Sequence, residues 1–366
     1  MTALRPLAAC VLFALPFAAG CQPAQADTSP EPMTRPASAA LSATAQSSAS
    51  PLPAAPPEAS PAPLPRSLRI SAVGDCTLGG PFESEGAPGS FTHELASRGD
   101  DYRYPFAKVL SVLAADDLTI ANLEVVLAKG GHAQSRPFSL RGKPEFANVL
   151  SAGSVELVNV ANNHSYDFGP KAYDDTVAAV RAAGVGVSGN EHVDTRVIKG
   201  IEVVNIGFTG GNMKARAKMT ALIAEHKRPD NLLFVSFHWG VEGVNAPTTV
   251  QLKLGHAAID AGADLVIGTH PHVLQGIETY RGKHIVYSLG NFVFGGNGNP
   301  ADKDSIIYQE TFTEKDGRFV PSEQTILPVR ISGETRRNDY QPVLLEGAER
   351  ERVLARLAGF NAALTR

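Results

Sequence analysis

Cysteine is scarce in this chain, with three in 366 residues. Cys10 lies in an apolar leader, Cys21 at its end, and Cys76 alone in the body of the chain. Once the leader is removed and Cys21 is modified, Cys76 has no partner, which excludes an intrachain disulfide framework. An excess of positive charge is also missing. The formal net charge is −4, which argues against a dedicated nucleic-acid binder. Long apolar runs are absent beyond Leu7 to Ala19, and that run is too short to span a bilayer. No fixed-period repeat is visible, which argues against a solenoid. What is present is 43% apolar residues over 366 positions, enough for a real core in one large or two modest domains.

The N-terminus reads as a targeting segment rather than structure. Arg5 supplies a positive start, and the apolar run closes on Ala18-Ala19-Gly20-Cys21. This resembles a bacterial lipoprotein lipobox, with Ala18 standing where leucine is preferred. The resemblance implies a signal peptide over 1–20 and acylation of Cys21, which would tie the protein to a membrane. Gln22 follows, not the aspartate associated with inner-membrane retention. The implied location is the cell envelope, at the outer membrane of a Gram-negative bacterium. The alternative is an ordinary secretory signal and a secreted or periplasmic protein. Residues 21–66 are rich in Pro, Ala and Ser, with Pro56-Pro57 and Pro61-Ala62-Pro63-Leu64-Pro65. Such a stretch cannot bury enough surface to fold and reads as an extended tether. The folded domain is expected over 67–366.

Within it, helical spacing is expected over Tyr104–Ala115, Pro144–Ala152, Lys171–Ala183, Met219–His226, Thr248–Ala261 and Glu346–Leu364. Phe82 to Asp101 reads as a long loop. The Arg and Glu residues of the last helix are expected to face solvent. Apolar strand-like runs alternate with these helices, which argues for an α/β core. After His272 the strands run consecutively, with Asp316-Gly317 as a hairpin turn, and a second sheet is expected from them.

Five strand-like runs close on residues that bind cations: Asp75, Glu124, Asn162-Asn163-His164, His238, and His270 with His272. In open α/β sheets, sites lie beyond the carboxyl ends of the strands. Pro271 disfavours the helical region for His270. An extended His270-Pro271-His272 would aim both imidazoles at one point. Asp75, Glu124, Asn163, His238, His270 and His272 together suit borderline divalent ions better than calcium. Two such ions about 3.5–4 Å apart can clamp a phosphoryl group, and Glu124 is the expected bridge.

The motifs Gly74-Asp75, Asn122-Leu123-Glu124, Ala161-Asn162-Asn163-His164 with Asp167-Phe168-Gly169, His238-Trp239-Gly240-Val241-Glu242, Gly268-Thr269-His270-Pro271-His272 with Gln275 and Glu278, and Tyr287-Ser288-Leu289-Gly290-Asn291-Phe292 resemble, in order, the CapA family of poly-γ-glutamate capsule biosynthesis. That family is similar in fold to the calcineurin-like metallophosphoesterases. The implied fold is a four-layer αββα sandwich of two mixed sheets flanked by helices. The implied cofactor is one or two divalent ions (Mn, Fe or Zn). By the resemblance, Asn163, Glu124, His238 and His270 hold one ion, and Asp75, Glu124 and His272 the other. His164 acts on the leaving group. Asp167 either orients His164 or caps the turn before Gly169.

One position departs from the phosphoesterase pattern. A histidine is expected two residues after Asp75, and Thr77 stands there, so one ion loses a ligand. Cys76 is either a substitute thiolate or a small buried residue. Trp239 either stacks on substrate or packs. Glu242 and Glu278 either bind substrate or metal or face solvent, and Asn291 either contacts the site or satisfies a turn. Two functions follow: a metal-dependent hydrolase of a phosphoester or related bond, or a non-catalytic, surface-anchored accessory that binds or exports an anionic polymer beside capsule-synthesis partners.

Overall fold

The computed structural model of the protein describes residues 66–134 and 138–364. The leader, Cys21 and residues 22–65 of the tether lie outside the described residues. In chain order the first nine strands are β1 (Ser67–Thr77), β2 (Gly80–Pro81), β3 (Leu118–Leu123), β4 (Val126–Leu127), β5 (Leu140–Gly142), β6 (Leu157–Asn159), β7 (Gly186–Ser188), β8 (Val193–Ile198) and β9 (Ile201–Thr209). They continue with β10 (Leu232–His238), β11 (Leu265–Thr269), β12 (Ile277–Tyr280), β13 (Lys283–Val286), β14 (Asn291–Phe294), β15 (Asp304–Lys315), β16 (Arg318–Arg330) and β17 (Val343–Leu344). The helices are α1 (Phe91–Ser97), α2 (Leu110–Leu113), α3 (Ala147–Ala152), α4 (Pro170–Ala182), α5 (Ala215–His226), α6 (Thr249–Ala261) and α7 (Gly347–Leu364).

Two large sheets carry the fold. The first runs β17-β16-β15-β1-β3-β6-β7, with β14 also paired to β1, and the second runs β12-β13-β11-β10-β9-β8. Both are mixed. β1, β3, β6 and β7 are parallel, and so are β9, β10, β11 and β13, while the outer strands run antiparallel. Three apolar clusters fix the order of layers. Leu68, Ile70, Leu118 and Leu157 of the first sheet meet Val203, Phe234, Leu265 and Ile267 of the second. The other face of the first sheet packs on Phe91, Val149, Leu150, Val177 and Val180 from its helices. The other face of the second packs on Met219, Ile223, Leu254 and Ala258. The result is the expected four-layer α/β/β/α sandwich. Buried on both faces, the central strands need continuous apolar runs rather than alternation, as in LLFVSF of β10.

Local chemistry sets the connections. Lys199-Gly200, Arg281-Gly282 and Asp316-Gly317 each place two consecutive residues at positive φ between paired strands, the geometry of tight hairpins whose twist matches their strands. Helix α6 begins in a capping box, with Thr248 and Gln251 bonding each other's backbone.

Four expectations are corrected. The stretch 82–101 is not all loop, because Ser90 caps α1 by accepting from His93 N, and Phe91 and Leu95 are buried. The segment 104–115 breaks into a 3-10 turn and a short α2. The strands after His272 do not form a sheet of their own. β12 and β13 extend the second sheet, while β14 to β17 join the first. Finally, the charged side of α7 faces solvent at Glu349, Arg350 and Glu351 as expected, but not throughout, since Arg352 and Arg356 both bond Asp304, and Arg356 also Asp302. No helix of the described residues is long and apolar enough to cross a membrane.

Candidate metal centre

The parallel strands of both sheets end at the same side of the molecule, and their ends carry the six expected ligands. Asp75 sits in β1, Glu124 one residue past β3, Asn163 beyond β6, His238 at the end of β10, and His270 and His272 just past β11. Gly74 makes this convergence possible. A Cβ there would stand 2.1 Å from Gly290 O, and Asp75 N donates to that same carbonyl at 3.0 Å.

All six residues come together. His238 Nε2 lies 2.7 Å from Asn163 Oδ1, 2.9 Å from His270 Nδ1 and 3.1 Å from Glu124 Oε1. His272 Nδ1 lies 3.3 Å from Asp75 Oδ2, and its Nε2 is 3.7 Å from Glu124 Oε1. Glu124 is common to two clusters whose ligand atoms lie within 4.8 Å of one another, one with His270 and His272, the other with Asp75 and His238. Glu124 thus stands between the two clusters.

The path to this geometry differs from the extended histidine pair. His270 has φ of 94° and His272 φ of 57°, a region that ordinary side chains avoid. The bend turns His270 N toward Asp75 Oδ2, to which it donates at 3.1 Å. Such strain concentrates where a site holds it in place.

The residues fit a cation. Glu124 is fully buried, and neither of its oxygens receives a hydrogen bond. Only the imidazoles of His238 and His272, at 3.1 and 3.7 Å from Oε1, stand against that charge, and a buried carboxylate so poorly bonded is costly. His238 Nε2 carries at most one hydrogen, yet three possible ligand atoms crowd it. Proton affinities tell the same story. Burial works against charge on His238, yet Glu124 and Asp75 raise its pKa to about 9. His272 is raised against its burial to about 10 by the same two carboxylates. Burial and the neighbouring His238 push His270 down to about 4. Burial opposes ionisation of Asp75, but bonds to His238 and His272 hold it well below the usual carboxylate range. Positive charge is demanded here, and divalent ions held by carboxylate, imidazole and amide oxygen would supply it.

Beside the ligands opens a cavity of about 580 Å³, lined by Glu124, His164, Glu242, His272, Asn291 and Phe294 among others. His164 Nδ1 lies 2.6 Å from Asp167 Oδ2, which also accepts from Leu140 N. A carboxylate only accepts, so the hydrogen sits on Nδ1 and Nε2 is left for chemistry. Asp167 therefore orients His164, and the turn before Gly169 is closed by Gly169 N donating to Tyr166 O. Asn291 Oδ1 lies 2.9 Å from His272 Nδ1, so Asn291 belongs to the site.

Other expected residues lie elsewhere. Trp239 is 1% exposed, stacked on Phe237, with Nε1 donating to Tyr287 O. It is a core residue and has no surface for substrate. Glu278 bonds His256 and Tyr287 Oη rather than the ligands. Cys76 is buried, its Sγ faces Gly74 O at 3.8 Å, and it belongs to neither ligand cluster, so it packs as a small buried residue. Thr77 is fully buried, and its hydroxyl has no hydrogen-bond partner.

Residues 69–296 match the family described as bacterial capsule synthesis protein PGA_cap. The chain belongs to that family. The capsule biosynthesis protein CapA of Bacillus anthracis is 32% identical over 66% of this chain and 63% of its own length. The PGA biosynthesis protein CapA of Bacillus subtilis (strain 168) is 28% identical over 66% of this chain and 69% of its own. A Mycobacterium tuberculosis relative at 28% identity, covering 63% of this chain and 71% of its own, is called a probable polyglutamine synthesis accessory protein. Among solved structures, the calcineurin-like phosphoesterase YfkN from Bacillus subtilis covers 81% of this chain and 97% of its own at 13% identity, with a TM-score of 0.42.

Proposed function

We propose that this protein binds divalent metal at the shared strand ends and hydrolyses a phosphoester or related bond during assembly of a capsule or exopolymer. The observation that carries the proposal is Glu124, a fully buried carboxylate with no hydrogen bond to either oxygen, set among three imidazoles and Asp75. Asp75, Glu124, Asn163, His238, His270 and His272 would hold the ions, as Mn, Fe or Zn. When bound, such ions supply Lewis acidity toward an ester oxygen and toward water. The chain's own residues do the rest. His164, fixed by Asp167, presents Nε2 to the cavity; carrying a second proton there as the imidazolium, it would give that proton to the departing oxygen and return to the neutral Nδ1–H form. Glu242 and Asn291 line the wall against which substrate is placed.

The test is metal analysis of the full-length protein, then turnover of aryl phosphodiesters with poor and good leaving groups. His164→Ala should keep its metal and lose about 10²–10⁴ in rate on the poor leaving group, with a smaller loss on the good one. An equal loss on both removes the proton-donor role.

One observation favours a second reading. Thr77 stands where the phosphoesterase pattern has a ligand, and its buried hydroxyl has no hydrogen-bond partner, so one ion lacks a side chain. A non-catalytic accessory that binds or exports an anionic polymer such as poly-γ-glutamate fits that loss. A wild type that binds metal yet turns over no phosphoester with any common divalent ion establishes it.

The same proposal places the protein in the cell envelope, held by a lipid on Cys21 at the outer membrane, beside capsule-synthesis partners and away from nucleic acid. Cys21→Ser should move it from the membrane fraction to the soluble one. Unchanged partition contradicts the anchor.

A further inference from the structure

We infer that Asn122 is a positioning residue of the metal centre, fixing Asp75 through its amide nitrogen at the seam between the sheets, and that Asn159 sets the direction of that amide. The inference rests on the metal-binding reading above.

Asn122 lies in β3 directly opposite Asp75 in β1, and it is 2% exposed. Its Nδ2 donates to Asp75 Oδ1 at 2.8 Å and stands 3.0 Å from His238 Nδ1. Asp75 belongs to the first sheet and His238 to the second. That nitrogen packs against His238 at the seam between the sheets but bonds Asp75, since His238 Nδ1 must itself carry the hydrogen if Nε2 is to hold a cation.

The amide has only one workable orientation. Ala161 N donates to Asn159 Oδ1 at 3.1 Å, which fixes that oxygen. Asn159 Nδ2 is then left to donate to Asn122 Oδ1 at 3.0 Å. Asn122 must turn its nitrogen, not its oxygen, toward Asp75. The reverse would press two acceptors together. Asn159 is held in a seat made by two glycines. A Cβ on Gly207 would stand 2.1 Å from Asn159 Oδ1, and one on Gly189 2.6 Å.

Thr269 completes the arrangement. Its hydroxyl donates to Phe237 O at 3.2 Å, which leaves a lone pair facing His238 Nδ1 at 3.3 Å. With the Nδ1 hydrogen placed there, His238 Nε2 keeps its lone pair for a cation. Partners of this kind set ligand orientation, and their loss commonly costs about 10- to 100-fold in metal affinity.

The experiment titrates Mn²⁺ or Zn²⁺ into chelator-stripped full-length protein by calorimetry, for wild type, Asn122→Asp, Asn159→Asp and the double variant. Asn122→Asp keeps the shape and removes the donor, and its affinity should fall by about 10- to 100-fold. Asn159→Asp acts only through Asn122, so its loss should be smaller. The double variant should be no worse than Asn122→Asp alone, a non-additivity expected of residues in one network. Melting of the metal-free proteins is measured alongside. An unchanged or raised affinity in Asn122→Asp overturns the inference. So does a lower metal-free melting temperature with normal affinity, because that is the mark of packing alone. A wild type that binds neither ion overturns the metal reading itself. If Asn122→Asp does not fold, Asn122→Ala carries the same expectations.

Discussion

Glu124 and Glu310 are both buried glutamates beside histidine, and they differ in what their oxygens touch. Glu310 in β15 is 1% exposed, and it is fully partnered, with His284 Nδ1 at 2.8 Å from Oε1 and Tyr308 Oη donating to Oε2 at 2.6 Å. That group bridges the two sheets, since His284 lies in β13. Glu124 has His238 Nε2 at 3.1 Å from Oε1, but no well-formed hydrogen bond reaches either oxygen. A satisfied buried carboxylate specifies a fold, whereas an unsatisfied one marks a place where something else binds. The same side chain in the same molecule thus separates architecture from chemistry.

That contrast can be broken or sharpened by measurement. The largest effect is expected at Glu124. Metal at a thousandfold above Kd should stabilise the wild type by about 4 kcal/mol, and Glu124→Gln should lose nearly all of that gain without losing stability when metal-free. Thermal melting with and without metal reads both. Glu310→Ala should behave in the opposite way. It should cost about 1–3 kcal/mol in metal-free and metal-loaded protein alike, with metal affinity unchanged. Equal metal dependence in the two variants would erase the distinction between the sites.

The smallest effect concerns a third carboxylate, Asp304. Burial opposes its ionisation, but Arg352 and Arg356 of α7 hold its pKa below the usual value. A lowered folded pKa stabilises the protein above the unfolded value and loses that contribution as pH falls through the folded one. The wild type should therefore lose stability below about pH 4. Arg352→Ala should flatten that acid limb by on the order of 1 kcal/mol, because the arginine is half exposed. Urea melts across pH 3 to 6 provide the check.

Much of the fold and of this site was legible in the sequence because each feature depends on neighbours along the chain. The X-Gly pairs set their hairpins through two adjacent φ angles. Leu232 to Phe237 and Leu265 to Ile267 read as covered strands because no polar residue but Ser236 interrupts them. The candidate ligands stood out because each closes such a run. What failed depends on partners far apart in sequence. β14 and β15 look like any other strands, and nothing local says that they pair with β1. The bend at His270 answers to a hydrogen bond from its amide to Asp75. Asn122 lay inside a motif already noted, but its role follows from Asp75 and Asn159, which no spacing connects. Trp239 and Glu278 drew attention as chemical types, and only packing shows that one is filled in and the other committed elsewhere.

The pairing of β1 also bears on how the chain reaches this structure. Arg66 bonds Glu314, 248 positions away, and Ser67 lies opposite Thr313. The strand at the heart of the first sheet therefore keeps one bare edge until nearly the whole polypeptide is available. Closing so distant a pair is entropically slow, and an uncovered edge recruits other strands. Assembly of this domain is a late, concerted event, and a chain truncated before β15 leaves β1 open to pair with whatever strand it meets.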